Sequence, residues 1–280
     1  MAEALDAAAV WDRLRRIRTA EDAEAAGLVP GSASGYASPG ATQLAERYLP
    51  LCLAGAHVAC AQLGQSLDGF IATRTGDADF VTGEEDRRHL HRLRALSDAV
   101  IVGAGTAVAD DPRLTVRACA GDNPVRVVLD PRGRVPRRRQ VFTDGAAPTL
   151  WVVGPEAAVA EGAGLDVLVL PDAEAFAPHR VLAALARRGL GRVLVEGGGV
   201  TVSRFLQAGA LHRLYVTVAP VLLGDGVPGL RFPGTPVMRD ALRPPVRRTL
   251  LGEDTLFEFA LGTPGARPGG PADDEHTGAR

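Results

Sequence analysis

Three consecutive glycines, Gly197-Gly198-Gly199, stand between an apolar run that ends at Glu196 and a helix-forming stretch that begins Val200-Thr201-Val202-Ser203-Arg204. Glycine lets a backbone come close to a bulky anion, and the start of the following helix aims unpaired N–H groups and its positive dipole end at the same point. Thr201 and Ser203 add hydroxyls in the first helical turn, and Glu196 sets a carboxylate at the strand end. This is the chemistry of a phosphate cradle. A second corner of the same kind, Gly103-Ala104-Gly105-Thr106, follows the apolar run at 99–102. Two such corners fit one long ligand with phosphates near its middle and at one end, which describes a nicotinamide dinucleotide.

Other residues could complete a site around that ligand. Arg132 and Arg134 follow an apolar stretch at 125–129, where guanidinium forks can grip an adenosine 2′-phosphate and favour NADPH over NADH. Ser66-Leu67-Asp68-Gly69 forms a tight polar turn that would carry a loop over the nicotinamide, with Ala72 against it. Arg94, Arg113 and Arg117 are candidates to hold an anionic substrate. Glu196 could hydrogen-bond a heterocycle, and Asp68 or Asp110 could organise a proton-delivering water. Each has a plainer alternative: a dipole-satisfying helix end for Arg94, a solvated basic loop for Arg132 and Arg134, an ordinary Asp-Gly turn for Asp68.

A metal site is not expected. His89 and His91 lie two apart on a helix and point to different sides, while His57, His179, His212 and His276 lack acidic or cysteine partners at ligand spacing. No serine-nucleophile elbow, P-loop or zinc-deaminase signature occurs.

These residues need a frame. The chain has 280 residues, 46% hydrophobic and 23% charged, with a net charge of −2. That is enough for one large core, and there is no basic footprint for nucleic acid. No run reaches membrane-spanning length, and the acidic opening Met1–Asp6 resembles no signal peptide. Cys52, Cys60 and Cys119 lack the spacing of a disulfide framework, so a cytoplasmic protein is expected.

Strands are predicted at 56–63, 99–103, 125–129, 149–153, 167–170, 192–196, 213–219 and 255–261. Helices are predicted at 83–96, 104–109, 155–160, 176–188 and 200–208. The alternation implies a mostly parallel sheet covered on both faces, and the two last strands, joined without a helix, imply an antiparallel edge. Residues 3–26 read as helical, with Val10, Trp11, Leu14 and Ile17 forming a stripe that covers the body, and 27–41 as a linker. A helical extension and linker over 1–41, one α/β domain over 42–261 and a disordered tail over 262–280 follow from this. One rival is a Rossmann dehydrogenase built on Gly103–Thr106 and Asp130, which Pro112 disfavours by stopping the crossover helix.

Four stretches in order resemble the pyrimidine reductase domain of riboflavin biosynthesis, a branch of the dihydrofolate-reductase-like superfamily. They are Gln65–Ala72, Ser97–Arg117 with its Asp110-Asp111-Pro112-Arg113-Leu114-Thr115, Val195–Gly199, and Ala219–Gly224. The resemblance implies a three-layer α/β/α fold, usually dimeric. It also implies hydride transfer from NADPH to the ribose C1′ of 5-amino-6-(5-phosphoribosylamino)uracil. Carried onto matching positions, it implies that Ala72, Phe80, Thr106, Asp110 and Gly198–Arg204 line NADPH, and that Arg94, Leu114, Arg117 and Glu196 face the substrate. Phe70 and Ala78-Asp79-Phe80 depart from the family pattern, which leaves a related pyrimidine, pteridine or specialised metabolite open as substrate. A non-catalytic NADP(H)-binding protein is the second alternative.

Overall fold

Runs such as Val100-Ile101-Val102 and Val193-Leu194-Val195 are apolar at every position, so they are stable only as strands covered on both faces. The computed structural model, which describes residues 4–29, 31, 35–157 and 165–262, places them at the centre of a sheet, at most 2% exposed. Helices α1 (Ala7–Leu14), α2 (Ala20–Ala25) and α3 (Pro39–Cys52) precede β1 (Val58–Ser66) and the short β2 (Phe70–Thr73). There follow α4 (Glu84–Ala95), β3 (Ala99–Gly103), α5 (Ala104–Ala109), β4 (Val125–Asp130), α6 (Gln140–Thr143), β5 (Thr149–Val153) and β6 (Asp166–Val169). The remainder comprises α7 (Pro178–Ala186), β7 (Arg192–Val195), α8 (Gly199–Gln207), β8 (Arg213–Ala219), β9 (Gly226–Pro228), β10 (Val246–Leu251) and β11 (Asp254–Ala260).

Nine strands form one sheet in the order β10-β11-β8-β1-β7-β3-β4-β5-β6. From β8 to β6 every pairing is parallel, while β11 runs antiparallel to both β8 and β10. One face packs against α1, α3, α4 and α5, the other against α7 and α8. This is the expected three-layer arrangement with an antiparallel edge. The Rossmann alternative falls away, because β1 lies between β7 and β8 instead of leading a 3-2-1-4-5-6 order.

The sequence reading needs several corrections. The helical stretch at 3–26 is two helices, because Thr19 adopts extended backbone and caps α2 through a capping box with Asp22. The linker ends early: Ser38 caps α3 with Pro39 at its first turn, and α3 crosses residue 42. The predicted strand 56–63 starts and ends later, since β1 pairs with β8 as far as Ser66 and Ala219. Strands β2, β9 and β10 were not anticipated. Of the predicted helix at 155–160, residues 155–157 form a turn and no helix, and 158–160 lie outside the described residues, as does the tail beyond 262.

The N-terminal stripe does cover the body. Val10, Trp11, Leu14 and Ile17 are buried, and Trp11 packs edge-on against Tyr48 of α3. Arg192, at the start of β7, donates to the carbonyls of Ile17, Arg18 and Cys52 at 3.3, 3.3 and 2.6 Å. Deleting residues 1–53 would expose this apolar layer, worth roughly 1.5–3 kcal/mol per large side chain, and orphan a buried guanidinium. The sum exceeds a typical margin of about 5–15 kcal/mol, so the truncated chain is expected to lose cooperative thermal unfolding by circular dichroism. An unchanged unfolding midpoint would contradict this.

Candidate active site

β7 and β3 are neighbours, yet α5 after β3 packs on one face of the sheet and α8 after β7 on the other. Chains that leave adjacent parallel strands in opposite directions open a crevice at the strand ends. A cleft of about 750 Å³ lies there. Its floor is where the two glycine corners meet: Gly198 N–H donates to Thr106 Oγ1 at 2.7 Å, and a Cβ on Gly103 would lie 2.5 Å from Thr201 Oγ1. The N-cap of α8, Gly198, offers no side-chain cap; the Thr201 N–H turns back to the Gly198 carbonyl at 3.0 Å, which leaves the Gly199 and Val200 amides for a ligand. At Gly199 a Cβ would overlap the carbonyl oxygens of Gly229 and Pro228, so only glycine lets the loop after β9 close over this helix start.

Among the residues singled out from sequence, Ala72, Gly103, Gly105, Thr106, Asp110, Glu196, Gly197, Gly198, Gly199, Val200, Thr201 and Arg204 all border this cleft. Burial in its wall raises the Asp110 carboxyl above the ordinary carboxylate range. Others lie elsewhere. Phe80 has φ +64° and is 85% exposed, outside the cleft. Val202 is buried in the core beneath α8, and the Ser203 hydroxyl accepts the Arg231 N–H at 2.7 Å. Arg132 is exposed on the turn after β4, while Arg134 borders the cleft. Asp68 serves its own loop: its carboxylate accepts the Ser66 hydroxyl and the N–H groups of Leu223 and Gly224, which fixes the turn and depresses its pKa. Asp68 is not among the residues that line the cleft.

Arg94 and Glu196 are joined in a way the sequence could not reveal. Arg94 Nε and Nη2 donate to Glu196 Oε1 and Oε2, both at 2.7 Å, and Nη1 donates to the Thr115 carbonyl at 2.9 Å. Both side chains are under 10% exposed. Burial alone would lower the Arg94 pKa, but the adjacent carboxylate outweighs it and the net shift is upward. Arg94 is therefore committed to holding Glu196, which alone of the two borders the cleft. Leu114 is buried with φ +55°, a backbone state that is uncommon for leucine and lies just before the carbonyl Arg94 uses.

Arg117 donates to Thr115 Oγ1 at 2.5 Å. Partial burial lowers its pKa, and Arg94, Arg113 and Arg87 add repulsion, so this corner is strongly positive. The cleft residues missed from sequence include Gln62, Gly64, Leu90 and Phe176. Gln62 and Gly64 sit on β1 before the recognisable turn, where nothing in a strand marks a cleft. Among the described residues no group of three histidine, cysteine or acidic side chains is placed to hold a metal.

His91 lies beside this positive corner and stays neutral. Its Nδ1 accepts the Arg117 N–H at 2.7 Å, and burial followed by Arg94, Arg117 and Arg87 pulls its pKa from 6.5 to about 4. The unfolded chain takes up a proton near pH 6.5 and the folded chain only near 4, so stability must fall as pH drops through that window. His91 alone contributes a loss of roughly 3 kcal/mol, and burial shifts His89 and His212 in the same direction. Unfolding free energy measured from pH 7 to 4 should decline, and His91→Gln should flatten the slope; a flat wild-type profile would contradict it.

Comparison with known proteins adds a second line of observation. The RibD C-terminal domain family matches residues 58–243. The 2,5-diamino-6-ribosylamino-4(3H)-pyrimidinone 5′-phosphate reductase of Methanothermobacter thermautotrophicus is 37% identical over 204 residues, 70% of this chain and 94% of that protein. The riboflavin biosynthesis protein RibD of Aquifex aeolicus is 37% identical over 167 residues, 58% of this chain but only 46% of that protein. A crystal structure of a Thermotoga maritima diaminohydroxyphosphoribosylaminopyrimidine deaminase/5-amino-6-(5-phosphoribosylamino)uracil reductase superposes with a TM-score of 0.63 at 26% identity, covering 79% of this chain and 61% of that one. The chain thus spans nearly all of the archaeal reductase and about half of the RibD protein.

Proposed function

The chain belongs to the RibD C-terminal domain family, and on that premise we propose that it is an NADPH-dependent reductase of a phosphoribosylamino-pyrimidine. The substrate is 5-amino-6-(5-phosphoribosylamino)uracil or its 2,5-diamino-pyrimidinone counterpart. The observation that carries this is the cleft itself, with the open α8 N-terminus at one side and the clamped Glu196 carboxylate at the other. The uncapped amides and the glycine cradle fit a pyrophosphate, and Arg134 beside Leu129 and Pro131 fits an adenosine 2′-phosphate. When bound, the cofactor supplies a hydride.

The chain's own residues supply position and charge. Glu196, held in place by the two Arg94 hydrogen bonds, accepts a hydrogen bond from the heterocycle and fixes its orientation. Arg117 and Arg113 provide the positive corner for the substrate phosphate. Asp110, on the cleft wall with its pKa raised, holds a water or a proton at its carboxyl oxygen. Ala72 and Ile71 of β2 roof the site and exclude water.

We further place the protein in the cytoplasm as a homodimer, with the reductase site carried within residues 42–261. Among the described residues no helix is long and apolar enough to cross a membrane. Val246 and Leu250 leave an apolar edge beside a shallow groove lined by Val216, Phe257 and Phe259. Light scattering should return twice the monomer mass.

The test of function is NADPH oxidation with each of the two pyrimidine phosphates. Turnover with at least one is expected, with NADPH preferred over NADH. Arg134→Glu should erase most of that preference, raising the KM for NADPH about tenfold or more while NADH changes little. Binding of NADPH without turnover across both substrates would favour the non-catalytic alternative, and no NADPH binding would overturn the reading.

A further inference from the structure

β1 and β7 run parallel with Ala61 level with Val195, so one residue further Gln62 stands beside Glu196 on the same face of the sheet. α4 crosses that face. Its residues Asp86, Leu90 and Arg94 are spaced four apart and line one side of the helix. Arg94, in the last turn, holds Glu196, and Leu90 borders the cleft. Asp86, in the first turn, holds Gln62: the amide Nε2 lies 3.3 Å from each carboxylate oxygen.

Two hydroxyls complete the shell of Asp86, which is 3% exposed. Thr217 Oγ1 donates to Oδ1 at 2.6 Å and Thr82 Oγ1 to Oδ2 at 2.7 Å. Gly64 makes room for this cluster, since a Cβ there would lie 2.9 Å from Thr82 Cγ2 and 3.3 Å from Asp86 Oδ2. Burial pushes the Asp86 carboxyl up, while the hydrogen bonds from Thr217, Thr82 and Gln62 favour its carboxylate form, which only accepts. With two hydroxyls already donating, it takes its remaining bonds from the Gln62 NH₂, and this decides which end of the amide faces away. Gln62 Oε1 has no donor among the described residues, and the side chain borders the cleft.

We propose that Asp86 is a positioning residue that holds the Gln62 carbonyl oxygen toward the substrate half of the cleft as a fixed hydrogen-bond acceptor. The inference rests on the reading of the cleft as a pyrimidine reductase site. Gln62 Oε1 and the Glu196 carboxylate then form an acceptor pair on adjacent strands. Such a pair selects a heterocycle edge that presents N–H donors, ring imide or exocyclic amine, and rejects an edge lined with carbonyls.

Two variants and one spectroscopic signal test this. Gln62→Met replaces the amide with a thioether of similar length. Asp86→Asn supplies an amide that can donate to Gln62 Oε1 and turn Nε2 toward the cleft. Each is expected to raise the KM for the pyrimidine about tenfold, with kcat changed far less and NADPH affinity unaltered. The double variant should go no further than either alone, because both act through one oxygen.

A Gln62→Met enzyme with unchanged KM overturns the assignment, as does an Asp86→Asn enzyme with unchanged KM where Gln62→Met raises it. If Asp86→Asn fails to fold, the side-chain NH₂ signal of Gln62 in the unaltered protein decides. Bonded to a carboxylate, its protons are expected downfield and slow to exchange, with NADPH alone or with substrate added. Rapid exchange overturns the proposal. That signal needs no turnover, so failure to reduce either pyrimidine would count against the function, while the orientation of Gln62 would still be decided.

Discussion

Arg94→Met is expected to remove roughly 3–5 kcal/mol of folding stability and to lower kcat/KM on the order of 100-fold or more. Both effects have one cause. The Arg94 guanidinium and the Glu196 carboxylate are withdrawn from water and satisfy one another through two 2.7 Å bonds. Removing the cation leaves a buried carboxylate without its partner, free to swing toward solvent. The heterocycle then loses the group that orients it. Glu196→Gln is the informative partner, because the amide keeps the shape and one acceptor while giving up the charge. Its stability cost should be smaller, about 1.5–3 kcal/mol, whereas its loss of turnover should approach that of Arg94→Met. Denaturant unfolding and steady-state kinetics measured together separate the two. An Arg94→Met enzyme that retained wild-type kcat/KM would show that Glu196 needs no clamp.

Gly199→Ala should weaken NADPH binding by about 100-fold and cost about 1–3 kcal/mol of stability. The added methyl would overlap the Gly229 and Pro228 carbonyl oxygens, which are backbone and cannot rotate away. The loop after β9 or the first turn of α8 must shift, and the amides aimed into the cleft shift with it. Gly105→Ala provides the contrast. A Cβ there meets nothing within 4 Å, and the residue lies inside α5, where alanine is favoured by roughly 0.5–1 kcal/mol. The Gly105→Ala protein should therefore be at least as stable as wild type, and any loss of NADPH affinity in it reports crowding of the ligand alone. Isothermal titration of both variants beside their melting curves checks the pair; a Gly199→Ala protein with unchanged NADPH affinity would rule out the α8 start as the phosphate cradle.

Local rules made the central parts of this protein legible. Uniformly apolar runs announced buried parallel strands, and glycine corners announced the two helix starts that meet in the cleft. β3, α5, β5 and β8 fall at the predicted residues. Where several forces compete, local rules were insufficient. Val246-Arg247-Arg248-Thr249-Leu250-Leu251 carries two adjacent arginines and gives no clear strand signal, yet an edge strand tolerates and even favours such charges. Pro39 and Gly40 read as linker, although proline suits a first helical turn.

The site divided along the same line. Residues recognisable by backbone chemistry, such as Gly197–Gly199 and Thr106, came together. Side chains whose role depends on a distant partner did not declare themselves. Arg94 reads as an ordinary helix-end cation, and only the fold brings it to Glu196, 102 positions away. Asp86 is equally hidden, because an acid in a first helical turn normally needs no explanation beyond the dipole. Asp68 shows the reverse: a residue with plausible chemistry whose oxygens turn out to be occupied by its own loop.

The central claim is that this cleft brings a reduced nicotinamide against a phosphoribosylamino-pyrimidine. Its most direct test is isotopic: NADPH deuterated on the transferable face of the nicotinamide ring is incubated with enzyme and 5-amino-6-(5-phosphoribosylamino)uracil, or with the 2,5-diamino-pyrimidinone, and the product is analysed by mass spectrometry and NMR. One deuteron bonded to the former ribose C1′, formed far more slowly by Arg94→Met and Gly199→Ala, is the predicted result. Unlabelled product, or no product from either pyrimidine with NADPH bound, would contradict the account.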